Sequence, residues 1–346
     1  MELIRGLHNL RSRHRGGVAT IGNFDGVHRG HGAILDQLRQ RAEALGVSMT
    51  VVVFEPQPRE YFALDQAPPR LTALREKLRL LAAQGVDQVL CLPFNKHLRE
   101  LSAREFIDQV LIEGLGVQSL VVGDDFRFGC DRAGDFNLLQ AVGAEQGFDV
   151  ENTHSFLQYG ERVSSSRIRT LLASGNFALA AALLGRPYRF SGRVVADRQL
   201  GRTIGVPTAN IPLPRTPLVL RGVYAVMVER ENGDVLPGAA NFGWRPTVGS
   251  ERPVLEVHLI DFKGDLYGER LVVIPCLRLR GGVAFPGVEA LTRQLHHDVA
   301  TSRDYLAHAR PVADHQYSAI DGTPLPLATA PLSPPSDETC PNGQQE

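Results

Sequence analysis

The chain has 346 residues, 43% hydrophobic and 22% charged, with a formal net charge of −1, an ordinary globular composition with room for about two domains and a buried core in each. That near-neutral balance gives no bulk pull toward nucleic acid or anionic lipid, so any bound anion must be held by a local site suited to a small ligand. No apolar run approaches the roughly 20 residues of a membrane span and the N-terminus has no apolar leader, which predicts a cytoplasmic protein, while Cys91, Cys130, Cys276 and Cys340 lack the spacing of a disulfide framework or a zinc site.

The first half alternates short apolar runs with amphipathic segments. "GGVATIG" (16–22), "SMTVVVF" (48–54), "DQVLCL" (87–92) and "SLVVG" (119–123) read as buried parallel strands. Between them, "LTALREKLRLLAAQG" keeps Leu71, Leu74, Leu78 and Leu81 on one helical face and stops at Gly85. Ser102 and Glu105 form a capping box ahead of "FIDQVLIEGL". Strand and helix in alternation predict a doubly wound α/β parallel sheet, with its ligand site beyond the carboxyl ends of the strands.

The stretch "GNFDGVHRGHGAILDQL" (22–38) falls at such an end. A helix starting near Gly30 puts His28 and His31 at i and i+3, where both imidazoles reach one anion at the positive end of the dipole. Gly22, Gly26 and Gly30 allow close backbone approach, and free first-turn N–H groups point at the ligand. A phosphate fits, and it must be bound without a Walker-type lysine: the chain's three lysines, Lys77, Lys96 and Lys263, follow no GxxxxG loop. "VSSSRIR" (163–169) opens a second helix with three hydroxyls, and Ser166 and Arg169 stand one turn apart, so hydroxyl, amide and guanidinium can grip a polyphosphate together. The bland alternatives are a tight turn with two surface histidines and a serine N-cap with a solvated arginine.

After "SSSRIRTLLASGNFALAAALLGRP" the pattern changes, with a boundary near Gly185. From Tyr188 to about Arg280 strands are short and turns frequent, which predicts a small antiparallel β-barrel. A closing helix follows Pro286, with Val288, Leu291, Leu295, Val299 and Leu306 near helical spacing. Beyond Arg310 there are seven prolines and no lysine or arginine, a composition expected to be disordered. The domains expected are thus residues 1–185, 186–310 and a tail from 311 to 346.

"HRGH" (28–31), preceded by "TIGNFDGVH" and joined by "SSSRIR", resembles the HxGH nucleotidyltransferase superfamily, and within it the FMN adenylyltransferase module of bifunctional riboflavin kinase/FAD synthetases. "VVGDDFRFG" (121–129), "FEPQPREYF" (54–62) and "RLTALREKLRLL" (70–81) are similar to that family too. The likeness runs from Met1 to about Arg310. It implies a Rossmann-like first domain in which His28 and His31 stabilise the transition state at the α-phosphate of ATP. Ser164, Ser165, Ser166 and Arg169 would hold the outer phosphates, Gly22, Asn23, Phe24, Asp25, Gly26 and Gly30 would line the nucleotide, and Asp125 and Phe126 would lie by the flavin. FMN is already an anionic nucleophile, so adenylyl transfer needs alignment and charge stabilisation more than a base.

"GRTIGVPTAN" (201–210) contains "PTAN", which resembles the riboflavin kinase signature. Pro207 fixes its own φ, and Thr208 and Asn210, two apart on a strand, face one side with oxygen ligands suited to a Mg²⁺ that also holds ATP phosphates. Gly201, Arg202 and Gly205 belong to the same nucleotide-binding element by that resemblance. In "PVLEVHLIDF" (253–262) Leu255, Val257 and Leu259 point to the core, leaving Glu256 and His258 opposite. Glu256 matches the family's catalytic glutamate, which takes the proton from the riboflavin 5′-hydroxyl. "GDLYGE" (264–269) adds to the likeness. The chain departs from the kinase pattern at Ala196, Asp197 and Gln199, at Trp244, and at Gly282, where a glutamate is usual.

The expectation is a two-site enzyme that uses ATP to turn riboflavin into FMN and FMN into FAD. The alternatives are an FAD synthetase with a weakened kinase and a non-catalytic flavin- or nucleotide-sensing module. Partners are small molecules, with neither nucleic acid nor membrane; the oligomeric state is not legible.

Overall fold

A computed structural model describes residues 1–123, 125–153, 155–196, 205–213, 217–247 and 250–308, without the side chains of 244–252. Gly201, Arg202, Asp197, Gln199, the Trp244 side chain and the tail lie outside the described residues.

Six parallel strands form the first sheet: β1 (Glu2–Arg5), β2 (Val18–Ile21), β3 (Met49–Glu55), β4 (Gln88–Pro93), β5 (Ser119–Gly123) and β6 (Asp149–Thr153), in the order β1-β4-β3-β2-β5-β6. The central strands are buried on both faces, as continuous apolar runs must be. The register Val18↔Met49 and Val18↔Ser119 aligns β2 with both neighbours. From β2 the chain moves one way to β3 and β4, then crosses back to β5 on the other side. The reversal opens a crevice at the carboxyl ends of β2 and β5, the topological switch point where such sheets bind ligands. The edge strands β1 and β6 carry charged and polar residues and have no apolar run, which is why sequence periodicity passes over them.

Two helical layers cover the sheet. Leu35, Leu38 and Ala42 of α1 (Arg29–Leu45) join Leu81 in one core, below α3 (Leu74–Ala83). On the other face α5 (Ala103–Phe106) runs into a π-helical segment, Ile107–Leu115, which packs with α6 (Phe136–Gln146). The short α2 (Pro58–Phe62) and α4 (Lys96–Glu100) follow β3 and β4. The Ser102–Glu105 capping box is present. Leu71 departs from the expected helical face: α3 begins three residues later, and Leu71 packs instead with the core of the second half.

After a hairpin of β7 (Leu157–Gln158) and β8 (Glu161–Arg162) come α7 (Ser165–Ala173) and α8 (Phe177–Leu184), which ends on Gly185 in the left-handed conformation. Then β9 (Phe190–Arg193), β10 (Ala209–Pro212), β11 (Gly222–Glu229), β12 (Val235–Thr247), β13 (Ser250–Leu259) and β14 (Arg270–Arg280) form an antiparallel sheet, ordered β10-β13-β12-β11-β14-β9. A bridge between Val195 and Asn210 brings its two edges together into a nearly closed barrel. Its core continues into Ile168, Leu172, Ala180, Leu183 and Leu184, so α7 and α8 pack with the barrel although they precede Gly185. The closing helix α9 (Val288–His308) lies against β11 and β12. Its buried residues are Asp298, Ser302 and Leu306, whereas Val288, expected on the apolar face, is exposed. Asp298 is buried because it accepts from Nε (3.0 Å) and Nη2 (2.7 Å) of Arg280.

Candidate active sites

The loop from Gly22 to Val27 leaves β2 at the switch point, with Phe24 (φ 46°), Gly26 (φ 86°) and Val27 (φ 41°) all left-handed. A β-branched residue there is strained and persists only where its surroundings over-determine it. They do so here from several segments. Arg186 donates to the carbonyls of Gly26 (2.6 Å) and Val27 (3.0 Å). Thr72 Oγ1 accepts from Gly26 N (3.0 Å), and Ser165 Oγ donates to the Asp25 carbonyl (2.9 Å).

The loop delivers the chain to α1, whose N-cap is His28 itself and not a residue nearer Gly30. His28 Nδ1 accepts from His31 N (3.2 Å) and His31 Nδ1 accepts from His28 N (3.3 Å), a reciprocal capping box made of imidazoles. The rings stack with centroids 3.7 Å apart and planes 11° apart, and Phe24 packs on His31 at 4.7 Å. Because each Nδ1 accepts a backbone proton, each neutral ring carries its own proton on Nε2. Burial first, then the charge of Arg186, depresses His28 from 6.5 to about 4, and burial with His28 beside it holds His31 well below its ordinary value. At neutral pH the pair is two stacked, uncharged rings at a helix N-terminus, each with its N–H on Nε2.

The second helix start faces the first. A Cβ on Gly30 would lie 3.1 Å from both His28 Nδ1 and the Val163 carbonyl, so α1 and the entry to α7 meet in tight contact at that glycine. Ser164 is the N-cap of α7, its hydroxyl accepting from Arg167 N (3.2 Å); Ser166 is exposed. Arg169 donates from Nη2 to Asp25 Oδ2 (2.5 Å) and from Nε to the Pro69 carbonyl (2.7 Å). Asp25, 2% exposed, also accepts from Leu71 N (3.0 Å) and Thr72 N (3.1 Å). The fold therefore brings His28, His31, the serine run and Arg169 together, while turning several expected ligand groups to structural work. Phe24 puts its ring in the core, Asp25 is consumed as an ion-pair partner, and the Ser164 and Ser165 hydroxyls are engaged with backbone. Asn23 is exposed at the loop tip and Gly22 half-buried.

At the end of β5, Asp125 pairs with Arg162 (3.1 Å) and Phe126 stacks on Phe128 (5.4 Å, 16°). Nothing in the sequence singles out Arg162 or Arg186, since a lone arginine after a turn looks solvated. Arg186, Arg169 and Arg162 all act on His28 in the direction that disfavours a positive ring, so the crevice is electropositive and suited to an anion.

In the barrel, β13 sits between β10 and β12, with Asn210 and Asn241 both opposite Glu256. Leu255, Val257 and Leu259 are buried on the inner face, as the alternation requires, and Glu256 with His258 lies on the other. Asn241 Nδ2 donates to Glu256 Oε2 (3.3 Å). No motif in its strand marks Asn241; only strand pairing puts it beside Glu256. His258 Nδ1 donates to the Pro207 carbonyl (2.8 Å), pinning the turn that leads into β10, and half-buried Thr208 precedes Asn210, which is 5% exposed. Gly205 is exposed at that turn with φ 76°. Ala196 is exposed beside the bridge that closes the barrel, and Gly282 is exposed after β14. The three described cysteines, Cys91, Cys130 and Cys276, are unpaired.

A doubly wound sheet with stacked histidines at its switch point, followed by a nearly closed barrel with a carboxylate in a row of amides, is the frame of a two-domain transferase acting on phosphates. The FAD synthetase family matches residues 10–167, and the riboflavin kinase family matches residues 184–306. The chain belongs to the family of bifunctional riboflavin kinase/FMN adenylyltransferases. The member from Pseudomonas fluorescens is 55% identical over 308 residues, spanning 89% of this chain and 98% of that one. That from Escherichia coli K12 is 49% identical, spanning 90% and 100%. A crystal structure described as a macrolide-efflux protein from Streptococcus pneumoniae shares the fold with a TM-score of 0.72 at 29% identity, covering 88% of this chain and 99% of that one. Among the described residues no helix is long and apolar enough to cross a membrane.

Proposed function

We propose that the chain carries out both reactions of its family. Riboflavin is phosphorylated to FMN in the barrel, taken as residues 186–310, and FMN is adenylylated to FAD at the switch point of the first sheet, in residues 1–185. The observation that carries the second assignment is the reciprocal cap of His28 and His31, which engages both Nδ1 atoms and leaves each neutral ring an Nε2–H donor at the start of α1. In adenylyl transfer an FMN phosphate oxygen attacks the α-phosphorus of ATP, the new P–O bond forms as the bond to the β-phosphate bridge breaks, and pyrophosphate leaves. Charge develops on the α-phosphate oxygens, and preoriented neutral donors stabilise it without reorganising. The start of α7, with Ser166 and Arg169, would hold the leaving pyrophosphate, and Asp125 and Phe126 would border the flavin.

In the barrel, Glu256 takes the proton from the riboflavin 5′-hydroxyl as its oxygen attacks the γ-phosphorus of ATP and ADP leaves. Asn241 holds the carboxylate from one side, which fixes the oxygen that accepts the proton. Among the described residues no group of three or more His, Cys, Asp or Glu is placed to hold a metal. The oxygens of Thr208 and Asn210 fit instead a hard cation such as Mg²⁺ that rests on few protein ligands and keeps waters; bound there, it would offset phosphate charge. The partners are ATP and the flavins, and two ATP-consuming reactions suit the cytoplasm.

An assay that resolves FMN from FAD, fed riboflavin and Mg-ATP, tests this on wild type and His28→Ala. The substitution is expected to abolish FAD and leave FMN. If His28→Ala made FAD at the wild-type rate, the assignment of the first site would fail.

A further inference from the structure

Lys77 lies in the first turn of α3 and is 0% exposed, and among the described residues no hydrogen-bond partner meets its Nζ. A buried ammonium without a partner is costly, and a cation at a helix N-terminus opposes the dipole as well. Stability alone would have put an apolar residue of the same length there. The position explains the retention. Leu71 and Thr72, just ahead of α3, donate their N–H groups to Asp25, so the segment that leads into the helix carrying Lys77 holds Asp25. Burial pushes the Lys77 ammonium below its ordinary value; of the charges around it Asp25 offsets this most, Arg70 adds to it, and Glu55 from β3 offsets it less. Glu55 and Glu60 are themselves engaged by Arg70 (2.7 and 2.5 Å).

Asp25 is the buried partner of Arg169, and Arg169 has another task in the reaction proposed above. To reach a polyphosphate, its guanidinium must leave Asp25 Oδ2, and a buried carboxylate deprived of its cation is strongly disfavoured. We propose that Lys77 is a positioning residue of the adenylyl-transfer site: its buried ammonium takes over the Asp25 carboxylate when Arg169 turns to the ATP phosphates. Rotation of the lysine side chain replaces one ion pair with another, so Asp25 keeps a cationic partner and the loop of residues 22–28 stays in place. Lys77 itself touches no substrate. The inference rests on the adenylyl-transfer assignment of that site.

The full-length protein provides an internal control, because riboflavin phosphorylation occurs in the barrel. Steady-state FAD formation, with ATP and FMN varied separately, is measured for K77M and K77R beside melting temperature and the rate of FMN formation. In K77M, kcat/KM for ATP is expected to fall at least about tenfold while the kinase rate changes less than about twofold. The melting temperature should hold or rise, since an orphaned charge has been removed. K77R, which keeps the charge, should retain more FAD formation than K77M. The inference is overturned if K77M makes FAD within about twofold of wild type, if K77R is as impaired as K77M, or if both activities fall together, which would mark Lys77 as a packing residue. His28→Ala, run alongside, tests the assignment of the site separately from the role of Lys77.

Discussion

His28 and His31 cap each other: each imidazole accepts the backbone N–H of the other residue, and their rings lie 3.7 Å apart in one stack. The cap fixes both rotamers and both tautomers before any substrate arrives, so the donors need no ordering in the transition state. Asn keeps an N-cap acceptor but has no ring to stack and no Nε2–H. His28→Asn is therefore expected to preserve α1 while lowering the rate of FAD formation by about 10²–10³-fold. Circular dichroism and single-turnover kinetics on one preparation separate the two effects.

The same burial makes stability depend on pH. His28 titrates at about 4 in the folded protein against 6.5 ordinarily, so between those values the unfolded chain binds the extra proton. Unfolding free energy must then rise with pH across that window and be lost as the solution is acidified from 6.5 toward 4. His31, held low by burial and by His28, acts with the same sign. Urea titrations at several pH values should show a shallower acid loss for His28→Asn than for wild type. Equal slopes would mean that the ring is not held neutral by the fold.

Asp25 joins three segments: its own loop, the approach to α3, and α7, which it meets through Arg169 and, at its carbonyl, through Ser165. Truncating one member of a buried ion pair leaves the other uncompensated, at a cost of about 3–5 kcal/mol. Asp25→Ala is expected to destabilise by that order in urea and to lower FAD formation more than FMN formation. A loss under about 1 kcal/mol would show that the pair is solvated in practice.

Glu256→Gln keeps the shape and the contact with Asn241 but accepts no proton. FMN formation from riboflavin is expected to fall by about 10²-fold or more, with FAD formation from supplied FMN unchanged. Retention of the kinase rate would exclude Glu256 as the base. Loss of FMN formation would in turn exclude an inert barrel, despite the departures at Ala196 and Gly282.

Much of the architecture follows from sequence alone, because burial on both faces of a parallel strand demands the unbroken apolar runs seen in β2 to β5. The alternation Leu255, Val257, Leu259 likewise dictates which side of β13 bears Glu256. Histidines three residues apart at a glycine-rich strand end already specify a paired donor site. Local periodicity and spacing suffice for these, since each depends on residues within one turn or one strand.

What tertiary structure alone decides is which groups are free. No spacing rule tells that Asp25 meets Arg169 across 144 residues, that Arg186 carries the strained loop, or that Asn241 stands opposite Glu256. Nor does it tell that Lys77, in an amphipathic helix, turns inward instead of out. A long-range ion pair is set by how separate elements pack, and charge, unlike hydrophobicity, leaves no periodic trace along the chain.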